Sequence, residues 1–495
     1  MLNKLIQWSL SNRGLIIGLS LLLLVLGYQS ARQLPVEVLP DLTKPQVTIL
    51  TEAPGLAPEE VETRVTQPLE SALMGVPGLT RLRSTTDVAL SLIFVEFEWG
   101  TDIYKARTLV QERLQGVREQ LPEGTQPFMT PVASLMGEIL LVGVRSEKKE
   151  GEPGYLPPRE VRSLADWTIR RRLQSVRGIA EILCMGGGVK RIEIQPDPWK
   201  MQAWNISVEE LKRAAGEAAS TTTGGFIDTG STEIMVRNLA MTVQLEDISR
   251  TVIKKVNDRP VTIAEVANVV WGVEPMRGDA ALGITPEKES TPSVVMSVTK
   301  APGFDTMMLT EEIEKALEEL APTLPDGVKT TMLFRQADFI DRAVGNLKNA
   351  IAEGAVMVTI VLFLFLLNFR TTVITLMAMP LSFAMVFLVF RWFGISVNSM
   401  TLGGLAVAIG MVVDDAIVDV ENVFRRLREN ASLPEPKPKL QVIASASGEV
   451  RNSIFYATVL IILVFIPLLG LTGVEGRLFG PIAIATMVSD RKSVV

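Results

Sequence analysis

The chain has 495 residues, of which 47% are apolar and 21% are charged, and its net charge at pH 7 is −6. This length and apolar content predict several domains with membrane segments rather than a purely soluble protein, and the mildly acidic balance excludes nucleic acid as an expected partner. A single cysteine excludes an intramolecular disulfide, and the absence of histidine removes the commonest transition-metal ligand. Any metal chemistry would therefore use methionine, carboxylates or backbone oxygens.

The sequence contains no GxxxxGK[ST] run that would hold a nucleotide phosphate. Its nearest counterpart, GGGVKR at 186–191, lacks the spacing and the hydroxyl that hold phosphate and magnesium. ATP is therefore not an expected energy source, and no cofactor is predicted.

The first apolar run, residues 15–28, follows Lys4 and Arg13 and is compatible with a signal peptide or a membrane helix. When it is extended to 11–31 it reaches the roughly 20 residues that cross a bilayer. The sequence GYQSARQLP that ends it has no clear cleavage site. We therefore predict an uncleaved membrane helix within residues 1–31.

Residues 32–342 have the pattern of short strands and amphipathic helices, and the region contains segments that resemble one another in sequence. LESALMGVPGLTRLRSTT (69–86) resembles RRLQSVRGIAEILCMGG (171–187), and LVQERLQGVREQLPEGTQPFM (109–129) resembles LTEEIEKALEELAPTLPDGVKTTM (309–332). Helices that alternate with strands predict an α+β fold of repeated split βαβ units, with the helices on one face of each sheet. The alternative is that similarities of this kind occur in any α+β region and do not indicate a repeat.

The second unit is interrupted at 187–276 by a segment with its own strand and helix signals, KRIEIQPDP and SVEELKRAAGEAA. Long apolar patterns return after residue 342. They predict further membrane helices at 346–367, 372–392, 397–424 and 445–471, and the start of one near Phe479.

Lysine and arginine residues lie in every second segment between the predicted membrane helices, starting before the first helix. Such residues are retained on the cytoplasmic side of short loops. The charges that precede the first predicted helix, or separate the second from the third and the fourth from the fifth, are Lys4, Arg13, Arg370, Arg425, Arg426, Arg428, Lys437 and Lys439. The long soluble region is therefore expected on the opposite face, which is the periplasm in a Gram-negative bacterium.

The predicted helix at 397–424 carries carboxylates in two neighbouring stripes. At 100° per residue, Asp414 and Glu421 nearly superimpose, on the stripe that also contains Gly403 and Gly410. These glycines are predicted to let another helix approach closely.

Asp415 and Asp419, which are four residues apart, form the second stripe. An ionised carboxylate near the bilayer centre costs about 2.5 to 3.5 kcal/mol, so these acids are expected to face protein or water. The alternative is that the acids lie among the cytoplasmic headgroups and pair with Arg425 and Arg426.

The headgroup alternative fits Glu421 and leaves Asp419 open between an interfacial and a functional role. It does not fit Asp414 and Asp415, because the apolar run at 401–413 is too short to span a bilayer alone. Two adjacent acids in a low dielectric do not both ionise cheaply, so one is expected to bind and release a proton near neutral pH. Each proton that crosses the membrane supplies about 2.3 kcal/mol per 100 mV.

An intramembrane aspartyl protease would also need two acids. Its carboxylates normally come from different helices, which lets them hold one water between them, whereas all the acids here lie on one helix. We therefore predict that the chain is not an enzyme.

The sequence of this helix, together with several other segments, resembles the resistance-nodulation-division (RND) exporters. GMVVDDAIVDVENVFRRL (410–427) is similar to the fourth-helix signature of that family, and LPVEVLPDLTKPQV (34–47), GTDIYKAR (100–107) and EGRLFGP (475–481) agree with it. The resemblance extends from the first residues to about Val488.

The resemblance implies a homotrimeric pump of the bacterial inner membrane, driven by proton influx and joined to a periplasmic adaptor and an outer-membrane channel. It also implies porter subdomains with a docking subdomain inserted in the second. The implied division is a first transmembrane helix at 1–31, a first porter subdomain at 32–133, a second at 134–186 and 277–342, the docking insertion at 187–276, transmembrane helices at 343–488, and a non-native-looking end at 489–495.

Asp414 and Asp415 match the proton-relay pair of the drug-export branch, while Asp414 and Glu421 match acids required in the metal-export branch. Asp419 is retained as a secondary candidate. Met400, in SMTLGG, matches a methionine of copper and silver pumps, although an isolated methionine in a helix more often serves packing. Met400 is therefore a weak candidate metal ligand, and the metal site is otherwise unknown.

SLMGEILLVGV (134–144) and RSLADWTIRRRLQSVRGIAEI (162–182) resemble the heavy-metal exporters of the CusA/CzcA type, whereas the double aspartate resembles the multidrug branch. We favour export of a metal cation, and a multidrug exporter stays open. Two further alternatives are a protein-export subunit of the SecD/SecF type and a membrane-anchored periplasmic sensing or binding module without transport.

Full-length pumps of this family contain two similar halves, and this chain resembles the first. SDRKSVV (489–495) places charges where apolar residues should continue, and DRKSVV resembles the in-frame translation of a sequencing adapter. We expect an assembly artefact there, and the alternative is a truncated gene. In the family a lysine of the second half pairs with the aspartates and the main metal-binding methionines also lie there, so this chain alone is expected not to complete a transport cycle.

Overall fold

The fold was analysed in a computed structural model. It describes residues 2–133, 137–218, 226–230, 232–235, 244–256, 258–276, 278–283 and 290–490. The start of the SLMGE segment, 134–136, and the C-terminal residues 491–495 lie outside the described residues.

The N-terminal region forms two helices rather than one: α1 (Leu2–Ser11) and α2 (Arg13–Gln33). Ser11 Oγ and Asn12 Nδ2 donate to the Trp8 carbonyl at 2.9 and 3.0 Å. Such local side-chain bonds compete with the helical backbone, so the helix breaks at Asn12. The single helix predicted from residue 11 is therefore wrong at its start, although α2 alone is long and apolar enough to cross a membrane.

The first α+β unit is a four-stranded antiparallel sheet with helices on one face. Its elements in chain order are β1 (Gln46–Glu52), α3 (Pro58–Val61), α4 (Gln67–Leu73), β2 (Leu79–Asp87), β3 (Leu90–Phe97), α5 (Ile103–Val117) and β4 (Gln126–Met129). The strand order is β2-β3-β1-β4, and Ile49 pairs with Ile93 at its centre. Alternate residues of β1 and β3 face inward, and α5 packs Ala106, Val110 and Leu114 against them at helical spacing.

A second unit begins after the first. Its first half consists of β5 (Glu138–Ser146), α6 (Pro158–Leu164), α7 (Arg170–Gln174) and β6 (Ile179–Met185). The V-x-G turn that ends this helical segment matches that of the first unit, and Gly78 and Gly178 both have positive φ, at +78° and +107°. Glycine adopts this conformation without steric cost, so both turns need it.

An insertion follows β6 and has a core of its own. Its described elements are β7 (Lys190–Pro196), α8 (Pro198–Ala203), α9 (Val208–Glu217), β8 (Phe226–Asp228), β9 (Glu233–Met235), α10 (Leu245–Ser249), β10 (Val252–Val256), β11 (Arg259–Thr262) and β12 (Ala267–Val273). The first and last strands, β7 and β12, pair antiparallel and close its base. Leu211, Val261 and Ile263 lie in its separate hydrophobic cluster.

The second unit resumes with β13 (Ala281–Leu282), β14 (Thr291–Lys300), α11 (Thr306–Leu320) and β15 (Val328–Arg335). Its sheet has the order β6-β14-β5-β15, which repeats the order of the first sheet, and β13 pairs with the start of β14. The predicted α+β fold with repeated split βαβ units is confirmed. The subdomain names and limits stay a prediction.

The remaining chain is a bundle of long apolar helices. They are α12 (Gln336–Leu366), α13 (Phe369–Leu376), α14 (Ala378–Phe393), α15 (Ser399–Ala431), α16 (Lys439–Leu469) and α17 (Gly473–Asp490). Together with α2, the described residues contain five segments long and apolar enough to span a membrane, α13 and α14 counting as one.

Several predicted helix boundaries are wrong for local reasons. The helix α12 follows directly after β15 and begins at Gln336, ten residues before its predicted start at residue 346. The third predicted helix divides at Met377, because Pro380 cannot donate to the Leu376 carbonyl.

The predicted non-native-looking end at 489–495 stays a prediction, because the described residues stop at 490. Ser489 lies in α17, which begins at Gly473 rather than near Phe479. Its hydroxyl is fully buried against the hydroxyl of Ser382 in α14.

Residues 34–42, which we call the strap, connect the end of α2 with the start of α15. Glu37 N donates to the Val397 carbonyl at 3.0 Å, and Ser399 donates to the Val38 carbonyl through both N and Oγ, at 3.1 and 2.6 Å. The first turn of α15 is thereby hydrogen-bonded to the strap.

The strap is also bound to the second α+β unit. Lys300 Nζ at the end of β14 donates to Glu37 Oε1 at 3.0 Å and to the Phe304 carbonyl at 2.9 Å. Val36 N donates to Asp305 Oδ2 at 3.0 Å, while the other oxygen of Asp305 accepts from Met308 N and caps α11. One short segment therefore joins the membrane bundle to the β14–α11 corner.

Breaking the Lys300–Glu37 pair should destabilise the chain. Lys300 is only 5% exposed, so Glu37→Leu leaves a buried cation without its carboxylate. We expect a loss of about 2 to 3 kcal/mol, somewhat below the fully buried case because 23% of the Glu37 side chain is exposed. The double variant Glu37→Leu/Lys300→Met should recover most of it. Thermal unfolding of the purified chain in detergent measures both, and equal midpoints for wild type and Glu37→Leu would contradict the prediction.

The single cysteine, Cys184 on β6, has a thiol that is hard to ionise. Burial raises its pKa from 9.0 to about 12, and the charge and hydrogen bond of Asp166 add to the rise, while Arg162 and Arg170 oppose it. Asp166 is itself held by Arg162 Nε at 2.7 Å. Because the thiolate is the reactive form, Cys184 should be nearly inert at ordinary pH.

Alkylation of Cys184 by iodoacetamide at pH 8 should be about a thousandfold slower in the folded chain than in the unfolded chain. The rate should rise as the pH approaches 12. Asp166→Asn removes a negative charge beside the thiol and should accelerate labelling, whereas Glu181→Gln on the same strand should not. Mass spectrometry of the modified peptide measures the rates, and fast labelling of the folded wild type would show that the thiol ionises readily.

Candidate functional site

The start of α15 is fixed by a buried cap. Asn398 Oδ1 accepts from the backbone N of Met400 and Thr401, both at 3.0 Å, and Thr401 Oγ1 accepts from Asn398 N at 2.8 Å. Both Asn398 and Thr401 are fully buried. This reciprocal cap sets where the helix begins and therefore the rotation of every side chain that follows.

One side of α15 is apolar and packs inside the bundle. Leu405 lies in a cluster with Val386 and Ala485, and Val413 in a second cluster with Leu362. These contacts come from α12, α14 and α17, so the acids project from the remaining circumference of the helix.

The close helix contact lies at Gly404 rather than at the predicted Gly403 and Gly410. A Cβ at Gly404 would lie 3.0 Å from the Ile482 carbonyl and 3.1 Å from Ala485 Cβ of α17, whereas a Cβ at Gly403 or Gly410 would meet nothing within 4 Å. The predicted packing role of Gly403 and Gly410 is not seen within the described chain. The rotation of α15 about its own axis places Gly404, rather than Gly403 or Gly410, against α17.

The four acids separate into the two predicted stripes. Asp414 and Glu421 are exposed at the surface of the bundle, and Asp415 and Asp419 are partly buried. Asp415 and Asp419 line a cavity of about 780 Å³. We call it the α15–α16 cavity, and its lining residues are Ile16, Leu19, Ser20, Leu23, Ile374, Ala378, Leu381, Met385, Val389, Val412, Asp415, Ala416, Asp419, Val420, Ser447, Arg451, Ile454 and Val488.

Asp419 is held inside the bundle by α16. Its Oδ1 accepts a hydrogen bond from Ser447 Oγ at 2.8 Å. Arg451, one helical turn after Ser447, lines the same cavity. Asp419 is therefore hydrogen-bonded within the described bundle, and its role stays a prediction.

The alternative in which Arg425 and Arg426 pair with the acids is not supported. Arg426 forms ion pairs with Glu429 and Glu449, each at 3.0 Å. Arg425 donates to Asn422 Oδ1 at 2.8 Å. Both arginines are therefore bound to groups other than Asp419 and Glu421.

Sequence reasoning missed the polar residues of α16. Asn422 Nδ2 of α15 donates to the Ala446 carbonyl at 2.8 Å and to Glu449 at 3.3 Å, next to Ser447 and Arg451. The signal was present in ASGEVRNS (446–453), because Ser, Glu and Arg inside a predicted membrane helix normally face protein.

The weak metal candidate, Met400, lies in the first turn of α15. Among the described residues, no group of three or more Cys, Asp or Glu side chains is placed to hold a metal ion. The role of Met400 therefore stays a prediction.

A model of the AcrB/AcrD/AcrF family matches residues 5–495. Protein HelA of Legionella pneumophila is 33% identical over 99% of this chain and 46% of its own length. The cation efflux system protein CusA of Escherichia coli (strain K12) is 35% identical over 98% and 46%, and the cobalt-zinc-cadmium resistance protein CzcA of Cupriavidus metallidurans is 30% identical over 99% and 46%.

A crystal structure of a heavy metal efflux pump is similar throughout, with a TM-score of 0.85 and 27% identity over 99% of this chain and 47% of that one. The chain spans about half the length of the curated relatives it matches.

Substitution of Gly404 should loosen the contact of α15 with α17. Gly404→Leu places a side chain against the Ile482 backbone, and overpacking of this kind costs about 1 to 3 kcal/mol. The matched variants Gly403→Leu and Gly410→Leu meet open space and should unfold at or above the wild-type temperature, because glycine is a poor helix former. Thermal unfolding of the three purified variants compares them, and equal losses at all three positions would contradict the assigned contact.

Proposed function

Because the chain belongs to the AcrB/AcrD/AcrF family of RND transporters, which are transporters rather than enzymes, we propose that it is part of a permease that exports metal cations. The relatives named CusA and CzcA, described as cation efflux and cobalt-zinc-cadmium resistance proteins, support the choice of cargo. The proposal concerns the whole transporter, of which this chain matches about half.

The observation that carries the proposal is the pair of carboxylate stripes on α15. Helix α15 is long and apolar enough to span a bilayer, yet it carries four acids in eight residues from Asp414 to Glu421. A charge at this depth is tolerated where protein or water receives it, and such residues commonly carry protons or ions. Asp415 and Asp419 meet this condition in the α15–α16 cavity.

The energy source in this proposal is the proton gradient. Asp414 and Asp415 are the primary proton carriers, Glu421 shares the stripe of Asp414, and Asp419 extends the stripe of Asp415. Protonation neutralises a carboxylate that would otherwise hold its surroundings polar, so each proton changes which packing of α15 is favourable. At about 2.3 kcal/mol per 100 mV, proton entry can drive that change.

The proposed setting is the bacterial inner membrane, with both α+β units and the insertion in the periplasm. The clusters of arginine and lysine at the opposite end support this orientation. A homotrimer, a periplasmic adaptor and an outer-membrane channel are the proposed partners, on the family resemblance.

The test is metal resistance conferred by the natural gene in a metal-sensitive host, measured with copper, silver, zinc, cobalt, cadmium and nickel salts. We expect resistance to at least one cation. Asp414→Asn and Asp415→Asn should each lower proton-driven export by about a hundredfold, the scale for removal of a positioned proton carrier. Asp326→Asn, in an exposed turn before β15, is the matched control and should retain resistance.

Two outcomes would redirect the proposal. Resistance to organic drugs without resistance to any of these cations would favour the multidrug alternative. Full metal resistance in both aspartate variants at normal protein level would exclude Asp414 and Asp415 as the relay and favour a sensing or binding module.

A further inference from the structure

Helix α2 turns one stripe of its side chains towards the bundle. Four residues of this stripe lie within about 60° of one another around the helix axis: Ile16, Leu23, Gly27 and Ser30. Gly27 and Ser30 are buried, and a Cβ added at Gly27 would overlap Ala384 of α14. The second half of α2 is therefore in close contact with α14.

The first half of the same stripe faces the α15–α16 cavity. Its side chains there are Ile16, Leu19, Ser20 and Leu23, which are three or four residues apart, and Met385 of α14 lines the same space. The contact between α2 and α14 therefore widens towards the start of α2 into a cavity of about 780 Å³.

Hydrocarbon side chains form most of the cavity wall on this side. The lining residues contributed by α2, α13, α14 and α17 carry no charge, and Ser20 is their one polar side chain. The polar lining groups come from α15 and α16. Ligand pockets typically enclose about 300 to 1,000 Å³ and combine mainly hydrophobic walls with a few polar groups. Because protein interiors are close-packed, an apolar space of this size is expected to receive a ligand.

The neighbouring side chains of α2 show what surrounds the cavity. Leu15, Ile17 and Leu22 do not line it, and they are 52%, 61% and 58% exposed. Since α2 is long and apolar enough to cross a membrane, these exposed side chains face hydrocarbon. An alkyl chain of the membrane is therefore the ligand available at this side of the bundle.

The depth of the cavity along α2 fits a lipid of one leaflet. At 1.5 Å per residue, Ile16 and Leu23 lie about 5 and 15 Å from Arg13 along the helix axis. The hydrocarbon core is about 30 Å thick, so both residues fall within the half that one layer of acyl chains occupies. Arg13 is exposed at the start of α2, at the level of the headgroups, where a guanidinium can bind phosphate.

We propose that the α2 side of the α15–α16 cavity binds an acyl chain of a membrane phospholipid, whose phosphate lies near Arg13. The chain fills the space that Leu19 and Leu23 line and lies against Met385. The polar wall keeps its own contacts, such as the hydrogen bond from Ser447 to Asp419. This lipid site goes beyond the proposed export of metal cations and does not rest on it.

The test uses phosphatidylethanolamine with a photoreactive diazirine on one acyl chain. The 495-residue chain is reconstituted into lipid nanodiscs that contain this probe, irradiated and digested, and the labelled residues are identified by mass spectrometry. We expect labelling of Val412, which is 4% exposed and lines the cavity. Val413 is the matched control, because it is 3% exposed and packs in a different cluster, and it should stay unlabelled. Leu22 should be labelled by bulk lipid.

A pair of variants on α2 tests whether the chain enters along the predicted side. Leu23→Trp places an indole in the space that the chain needs and should lower labelling of Val412 about fivefold. Leu22→Trp changes the neighbouring leucine, which faces outward, and should leave labelling of Val412 unchanged.

Labelling of Leu22 without labelling of Val412 would overturn the proposal, because bulk lipid would then reach α2 without entering the cavity. Equal labelling of Val412 and Val413, or an unchanged yield in Leu23→Trp, would also contradict it. If a free fatty acid that carries the same diazirine labels Val412 and the phospholipid does not, the ligand is not a membrane phospholipid. If Leu23→Trp does not fold, the comparison of Val412 with Val413 in the wild type decides. The assay needs no transport, so its failure leaves the proposed export function standing.

Discussion

The solvation of carboxylates on α15 is the constraint on which the bundle depends. Hydrocarbon does not accept an ionised side chain cheaply, so every acid of a membrane-spanning helix needs protein or water beside it. The structure meets this requirement on one side, where Asp415 and Asp419 face α16 and the α15–α16 cavity. Asp414 and Glu421 are exposed at the surface of the described chain, so in a membrane that face must meet another protein surface or water.

The spacing of apolar residues and the lengths of the apolar runs predicted the main features of this fold. Local interactions explain the helix boundaries that were predicted wrongly. Apolar runs located the membrane helices, but they gave no sign of the side-chain bonds that break the helix at Asn12. The repeats predicted two split βαβ units, since each repeats a helix, a V-x-G turn and a strand. The favoured CusA/CzcA-like subgroup is also confirmed by the similar proteins.

The candidate site was predictable in part, because helical periodicity separates residues on one helix but does not orient its neighbours. The stripes of Asp414 with Glu421 and of Asp415 with Asp419 follow from 100° per residue. Which stripe faces α16 depends on the packing of side chains far apart in sequence. The same limit explains Gly404: the contact with α17 lies one residue, and so 100°, from the predicted Gly403.

The strap connects α15, the helix that carries the acids, to the second of the two α+β units. The first turn of α15 is hydrogen-bonded to the strap at Val38, and the strap is bound to Lys300 and Asp305 of the second unit. Arg477 of α17, in the EGRLFGP motif, donates to the Asp41 carbonyl and lies 4.8 Å from the Trp99 ring of the first unit. Because α17 packs closely against α15 at Gly404, the first unit is connected to the acid-bearing helix through the Arg477–Trp99 contact, and the second unit through the hydrogen bonds of the strap. A displacement of α15 therefore has to move or break these contacts, so the position of the acid-bearing helix and the positions of both units are geometrically linked.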